Sequence, residues 1–132
     1  MECELKAPRD PVPRVLVVED EPLIRYVIAD ALRDEGVTVI EAGSGDEAWQ
    51  HIQLDPDIDV VFTDHRMPGT LSGAELAGRV RELRPGIVVV LTSGDFDGKG
   101  YRGALVRKPY FVLEVARELA SLGRSNRRVM DA

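Results

Sequence analysis

Glu19, Asp20, Asp64, Thr92 and Lys108 lie far apart in the chain, yet each follows a short apolar run. Val15-Leu16-Val17-Val18 leads into Glu19-Asp20-Glu21, and Val60-Val61-Phe62-Thr63 leads into Asp64. Ile87-Val88-Val89-Val90-Leu91 leads into Thr92, and Ala104-Leu105-Val106 precedes Arg107-Lys108. Carboxylates crowded at one strand end repel one another unless a cation sits among them. A carboxylate cluster with an open face suits Mg²⁺, a hard ion that takes one or two protein carboxylates at about 2.0–2.1 Å and keeps several waters. A carboxylate is also a nucleophile toward phosphorus, forming an aspartyl phosphate. A Lys ammonium together with a metal then neutralises charge on the transferring phosphoryl oxygens, and a Thr hydroxyl can donate to the same group. Each residue alone has a plainer explanation: Asp64, ahead of Pro68-Gly69, could start a turn, and Glu19-Asp20-Glu21 could be solvated loop acid. Their shared position at strand ends is what favours the chemistry.

The elements that must position these groups follow from the pattern. Continuous β-branched runs such as 60–64 and 87–91 fit strands buried on both faces, as in a parallel sheet. Between them lie helical stripes. Pro22 suits a first helical turn, with Ile24, Val27, Ile28, Ala31 and Leu32 as the buried face and Gly36 as the residue that ends the helix. Val37–Ile40 forms a strand, and Ser44-Gly45-Asp46-Glu47 has the form of a capping box. The helix it starts packs through Ala48, Trp49 and Ile52. A third helix begins near Ser72, buries Leu76, Val80 and Leu83 and stops before Pro85. The Gly- and Asp-rich stretch 94–103 leaves room for at most a short or irregular helix, and a last helix buries Val115, Leu119 and Leu122. Strands alternating with helices predict βαβ units and a doubly wound parallel sheet. The carboxyl ends of its strands form the edge where such folds bind ligands.

Bulk composition narrows the function classes. The 132 residues predict one domain over 13–122, an irregular lead-in over 1–12 and a flexible polar tail over 123–132. Acidic residues outnumber basic ones 23 to 17, a formal charge of -6, which argues against general binding to nucleic acid or an anionic membrane. Three arginines at 124–128 are too few to reverse that. One cysteine, Cys3, gives neither a disulfide framework nor a Cys-based metal cluster. No apolar run approaches the roughly 18 residues of a spanning helix and no signal peptide is visible, so a cytoplasmic protein is expected. His51 and His65 lack metal-ligand spacing and read as surface residues.

On Glu19-Asp20, Asp64 with Met67-Pro68 and Gly73, Thr92, and Lys108-Pro109, the chain resembles the receiver domain of two-component response regulators over residues 13 to 122. The resemblance implies a flavodoxin-like, five-stranded parallel sheet in order 2-1-3-4-5 with helices on both faces. It implies Asp64 as phosphoacceptor, with Asp20 holding Mg²⁺ directly, Glu19 through water, and the Arg66 backbone carbonyl as a further ligand. Lys108 corresponds to the phosphoryl-binding lysine, Thr92 to the switch hydroxyl, and Lys108–Pro109 to a cis peptide. A histidine kinase or histidine phosphotransfer protein is the implied donor, with Leu23 and the first helix as its docking surface. Phe111, Val112 and Leu113 offer apolar area for a downstream protein target or a homodimer. The only catalysis implied is of the domain's own phosphorylation and dephosphorylation.

Three departures from the family pattern stand out. Five residues rather than four run from Pro68 to Gly73, so the loop after the acceptor is one longer. Only 15 residues lie between Thr92 and Lys108. The position three before Lys108, commonly aromatic in the family, is Leu105, so a Thr–aromatic switch is unavailable and ordering of 94–103 on phosphorylation is expected instead. Arg66 either covers the phosphoryl group and slows hydrolysis or points into solvent. Two other classes stand as alternatives. A phosphohydrolase of the haloacid-dehalogenase kind needs a second Asp two residues after the nucleophile, where this chain has Arg66. A pseudo-receiver that never carries phosphate is disfavoured by the complete acid, hydroxyl and lysine set. With no output domain after residue 122, a stand-alone receiver that signals by protein contact is the leading expectation.

Overall fold

The computed structural model describes residues 12–67, 69–94, 101 and 103–131. Five strands, β1 (Arg14–Val18), β2 (Thr38–Ala42), β3 (Val60–Asp64), β4 (Val88–Ser93) and β5 (Ala104–Arg107), alternate with helices α1 (Pro22–Asp34), α2 (Gly45–Leu54), α3 (Gly73–Leu83) and α4 (Val112–Asp131). The strands are all parallel in the order β2-β1-β3-β4-β5, the predicted doubly wound topology. β3 occupies the centre and is buried along its whole length, the burial that its unbroken β-branched sequence requires.

Two apolar layers sandwich the sheet. Val15, Val17, Val60, Phe62 and Val90 face α1 and α4 on one side, while Leu16, Val18 and Val61 face α2 and α3 on the other. Alternate residues of one strand thus serve opposite layers, as the pleat dictates. Gly36, at φ +85, ends α1 as predicted. At α2 the Ser44 hydroxyl accepts from the Glu47 N–H, but Glu47 Oε1 turns to the Gly43 N–H, leaving only half of the expected capping box. The complete box is at α3, where Ser72 and Glu75 cap each other's backbone N–H groups. Trp49 is partly buried against the second core layer, and Arg79 of α3 lies over its ring at 5.6 Å.

Several expectations need correction. Ile24 and Val27 are substantially exposed, because only the Ile28, Ala29, Ala31 and Leu32 side of α1 meets the sheet. Leu83, the last residue of α3, and Leu122 are exposed too. The supposed flexible tail from 123 onward is helical through Asp131, as part of α4. Gly123 lies against Pro13, and the Asn126 amide donates to Asp59 O and Gly86 O at 3.1 and 2.9 Å. Of the polar residues that suggest a tail, Asn126 and Arg127 turn inward onto backbone and carboxylate, while Arg124, Ser125 and Arg128 stay exposed. The expected short helix between β4 and β5, and its ordering on phosphorylation, fall on 95–100 and 102, outside the described residues. Among the described residues no helix is long and apolar enough to cross a membrane.

Candidate functional site

Parallel pairing brings the predicted residues to one edge. β1 and β4 flank β3, with Val18 opposite Thr63 and Asp64 opposite Thr92, and β5 lies beyond with Arg107 opposite Ser93. The Lys108 N–H continues the ladder to Ser93 O at 3.0 Å, which delivers the lysine to the same edge. Its ammonium donates to Asp64 Oδ2 at 2.7 Å. Glu19, Asp20 and Asp64 gather with one carboxylate oxygen from each within 4.8 Å of the others. Thr92 is buried beside Asp64 in register, and its hydroxyl has no hydrogen-bond partner among the described residues. The Lys108–Pro109 peptide is cis, as expected.

The electrostatics of this cluster are unbalanced. Burial, then the charge of Asp64 and that of Asp20, push the Glu19 carboxyl up to about 7, with Lys108 pulling only partly against them. Burial disfavours the Lys108 ammonium, but the hydrogen bond and charge of Asp64, together with Glu19 and Asp20, outweigh it and raise its pKa. Three carboxylates therefore share one ammonium. A hard divalent ion fits that donor set, and a charged phosphoryl group fits the unpartnered Thr92 hydroxyl and the ammonium.

Some contributors were not legible beforehand. Arg25, on α1, donates through Nη1 to Glu19 O at 2.7 Å and through Nε to Glu41 at 3.3 Å, tying the acid loop to β2. Tyr110 packs edge-on against Phe62 with centroids 5.9 Å apart. Burial, helped by Glu19 and Asp64, raises its phenol to about 12. Its sequence signal was present, an aromatic two residues after the lysine, but nothing local shows which way it faces. Gly73, the first residue of α3, sits so close to β3 that a Cβ there would overlap Asp64 O at 2.2 Å.

The remaining predicted residues lie at the margin. The Arg66 N–H is 3.4 Å from Asp64 Oδ1, and its side chain is exposed. Leu105 is half-buried in β5. His65 is half-buried rather than on the surface, and its N–H bonds Thr92 O at 2.8 Å, since the chain is still leaving the sheet there. Leu23, Phe111 and Leu113 are exposed, whereas Val112 packs on the core.

The sheet order and a polar cluster on the carboxyl edge define a doubly wound α/β domain with its chemistry at the strand ends. Residues 15–106 match the family model of the response regulator receiver domain, and the chain belongs to that family. The transcriptional regulatory protein PdtaR of Mycobacterium tuberculosis is 41% identical over 81 residues, covering 61% of this chain and 38% of PdtaR. The chain spans well under half the length of the first curated relatives it matches. A response regulator receiver domain protein from Clostridium thermocellum superposes with a TM-score of 0.79 at 25% identity, covering 90% of this chain and 99% of that one. The response regulator TrrA of Thermotoga maritima, solved in complex with Mg²⁺ and BeF, gives 0.73 at 28% identity, covering 84% of this chain and 99% of that one.

Proposed function

We propose that this receiver domain takes a phosphoryl group from the phosphohistidine of a cytoplasmic histidine kinase or phosphotransfer protein onto Asp64. One observation carries the reading: the Lys108 ammonium lies 2.7 Å from Asp64 Oδ2, with Glu19 and Asp20 beside the same carboxylate. An Asp64 oxygen attacks phosphorus, the phosphorus–nitrogen bond breaks, and the electron pair leaves with the donor imidazole. Lys108 holds the carboxylate for attack and then bonds the phosphoryl oxygens, and the Thr92 hydroxyl donates to the same group. Asp20 and Asp64, with Glu19 and the Arg66 carbonyl, would hold Mg²⁺, which supplies positive charge to offset the transferring group. Phosphorylation adds about one further negative charge and new acceptor oxygens, which shifts the surface only as far as those groups bond differently in its two states. The exposed Leu23 side of α1 adjoins the acid loop and supports a donor-docking role there.

Incubation with acetyl phosphate and Mg²⁺, followed by intact-mass measurement, tests the assignment. Wild type is expected to gain the mass of one phosphoryl group and Asp64→Asn to gain none. Equal labelling of both would remove Asp64 from the role, and no labelling of wild type would favour a pseudo-receiver.

A further inference from the structure

Asp46 belongs to neither the acid cluster nor any docking surface named above. It sits in the first turn of α2, yet its carboxylate grips the loop that follows Asp64. The Thr70 hydroxyl donates to Oδ1 at 2.6 Å and the Thr70 N–H to Oδ2 at 3.2 Å. Those two bonds, the hydroxyl's first, hold the Asp46 carboxyl below the usual value for its type. Gly69 has φ +104, and a Cβ there would lie 2.8 Å from Asp46 Oδ2, so both the backbone conformation and the approach call for glycine. A Cβ on Gly45 would lie 2.5 Å from Leu71 O, so the start of α2 and the loop are in backbone contact. The base of the loop is closed separately, with the Gly73 N–H donating to His65 O at 2.9 Å. Arg66 and Met67 lie between these two fastenings.

We propose that the Asp46–Thr70 clip is a positioning pair for the Mg²⁺ site. It anchors the lengthened loop so that Arg66, whose N–H lies 3.4 Å from Asp64 Oδ1, keeps its place and can present its carbonyl to the ion, and it thereby sets metal affinity. The inference rests on the phosphoacceptor reading above. A longer loop loses more entropy when its ends and contacts are fixed, and a ligand on a mobile loop must be ordered when the ion binds. Here Thr70 is held in the folded protein by bonds to a neighbouring helix rather than to the ion. Groups that contact a metal ligand directly alter affinity by about 10–100-fold when lost, and a clip that acts along the loop belongs at the low end of that range.

Mg²⁺ titration by calorimetry on the full chain tests this, with amide exchange across 65–72 measured in metal-free protein. Thr70→Val and Asp46→Ala are each expected to weaken Mg²⁺ by about tenfold and to speed exchange in the loop. Thr70→Ser, which keeps the hydroxyl, should restore both. The melting temperature of the metal-free protein separates this role from general damage, since the clip is at the surface and the three variants should melt close to wild type. Unchanged affinity in Thr70→Val, or equal weakening in Thr70→Ser, overturns the proposal. Absence of Mg²⁺ binding in wild type would sink the phosphoacceptor reading, and this inference with it.

Discussion

Strand β3 is bracketed by two aspartate–cation pairs that share a residue type and little else. At its amino end Asp59 Oδ2 accepts from Arg127 Nη2 at 2.6 Å, Arg127 Nε at 3.1 Å and the Arg14 N–H at 2.8 Å. The two side chains are 0% and 4% exposed. At the carboxyl end Asp64 and Lys108 make one 2.7 Å bond and are 11% and 33% exposed. A guanidinium is a planar fork that stays charged and fits a carboxylate from a fixed direction, whereas an ammonium is a compact charge on a flexible stem. The first pair is sealed and fastens α4 to the sheet. The second is left accessible and crowded by Glu19 and Asp20, so its cation stays open to competition from another anion.

The largest effect should come from breaking the sealed pair. Arg127→Met leaves Asp59 buried without its cation and should cost about 3–5 kcal/mol in urea denaturation, while Mg²⁺ affinity in the surviving fold stays near wild type. A cost under about 1 kcal/mol, as for an exposed pair, would erase the contrast. Lys108→Met should do the opposite. Its cost to stability should be small, because its ammonium is partly solvated, but phosphoryl uptake from acetyl phosphate should slow by about 10²–10³-fold, the scale of losing one charge-stabilising donor. Stopped-flow measurement of uptake checks it.

The smallest effect sharpens the contrast through pH. Glu19 titrates near 7 in the fold, against 4.5 in its ordinary state. The folded protein then binds more protons than the unfolded chain between those values. The stability linked to Glu19 is thus fully present at low pH and lost as pH rises through about 7. Metal-free wild type should therefore lose about 1–3 kcal/mol between pH 5 and 8, read by denaturant melts at each pH. Glu19→Gln should flatten that loss, and a slope equal to wild type would show that the acid cluster is not strained.

These two ends also differ in how readable they were. Glu19, Asp20, Asp64, Thr92 and Lys108 could be grouped from sequence because each ends or follows an apolar run, and parallel strands gather such ends on one edge. The Asp59–Arg127 pair carries no such signal. Its partners are 68 positions apart, and Arg127 lies in a polar stretch whose composition resembles a solvated tail. Asp46–Thr70 was hidden for a similar reason, since Asp46 looked like part of a helix cap. Ile24, Val27 and Leu83 show the converse error. Apolar spacing marks the side of a helix that faces inward, but not how far the neighbouring layer extends to cover it.

Gly73 carries a mechanical consequence. With Asp64 O 2.2 Å from where its Cβ would stand, and its N–H bonded to His65 O, the start of α3 rides on the Asp64 peptide like a follower on a cam. A side chain at position 73 would press on that carbonyl, so replacing Gly73 must move either the start of α3 or the end of β3.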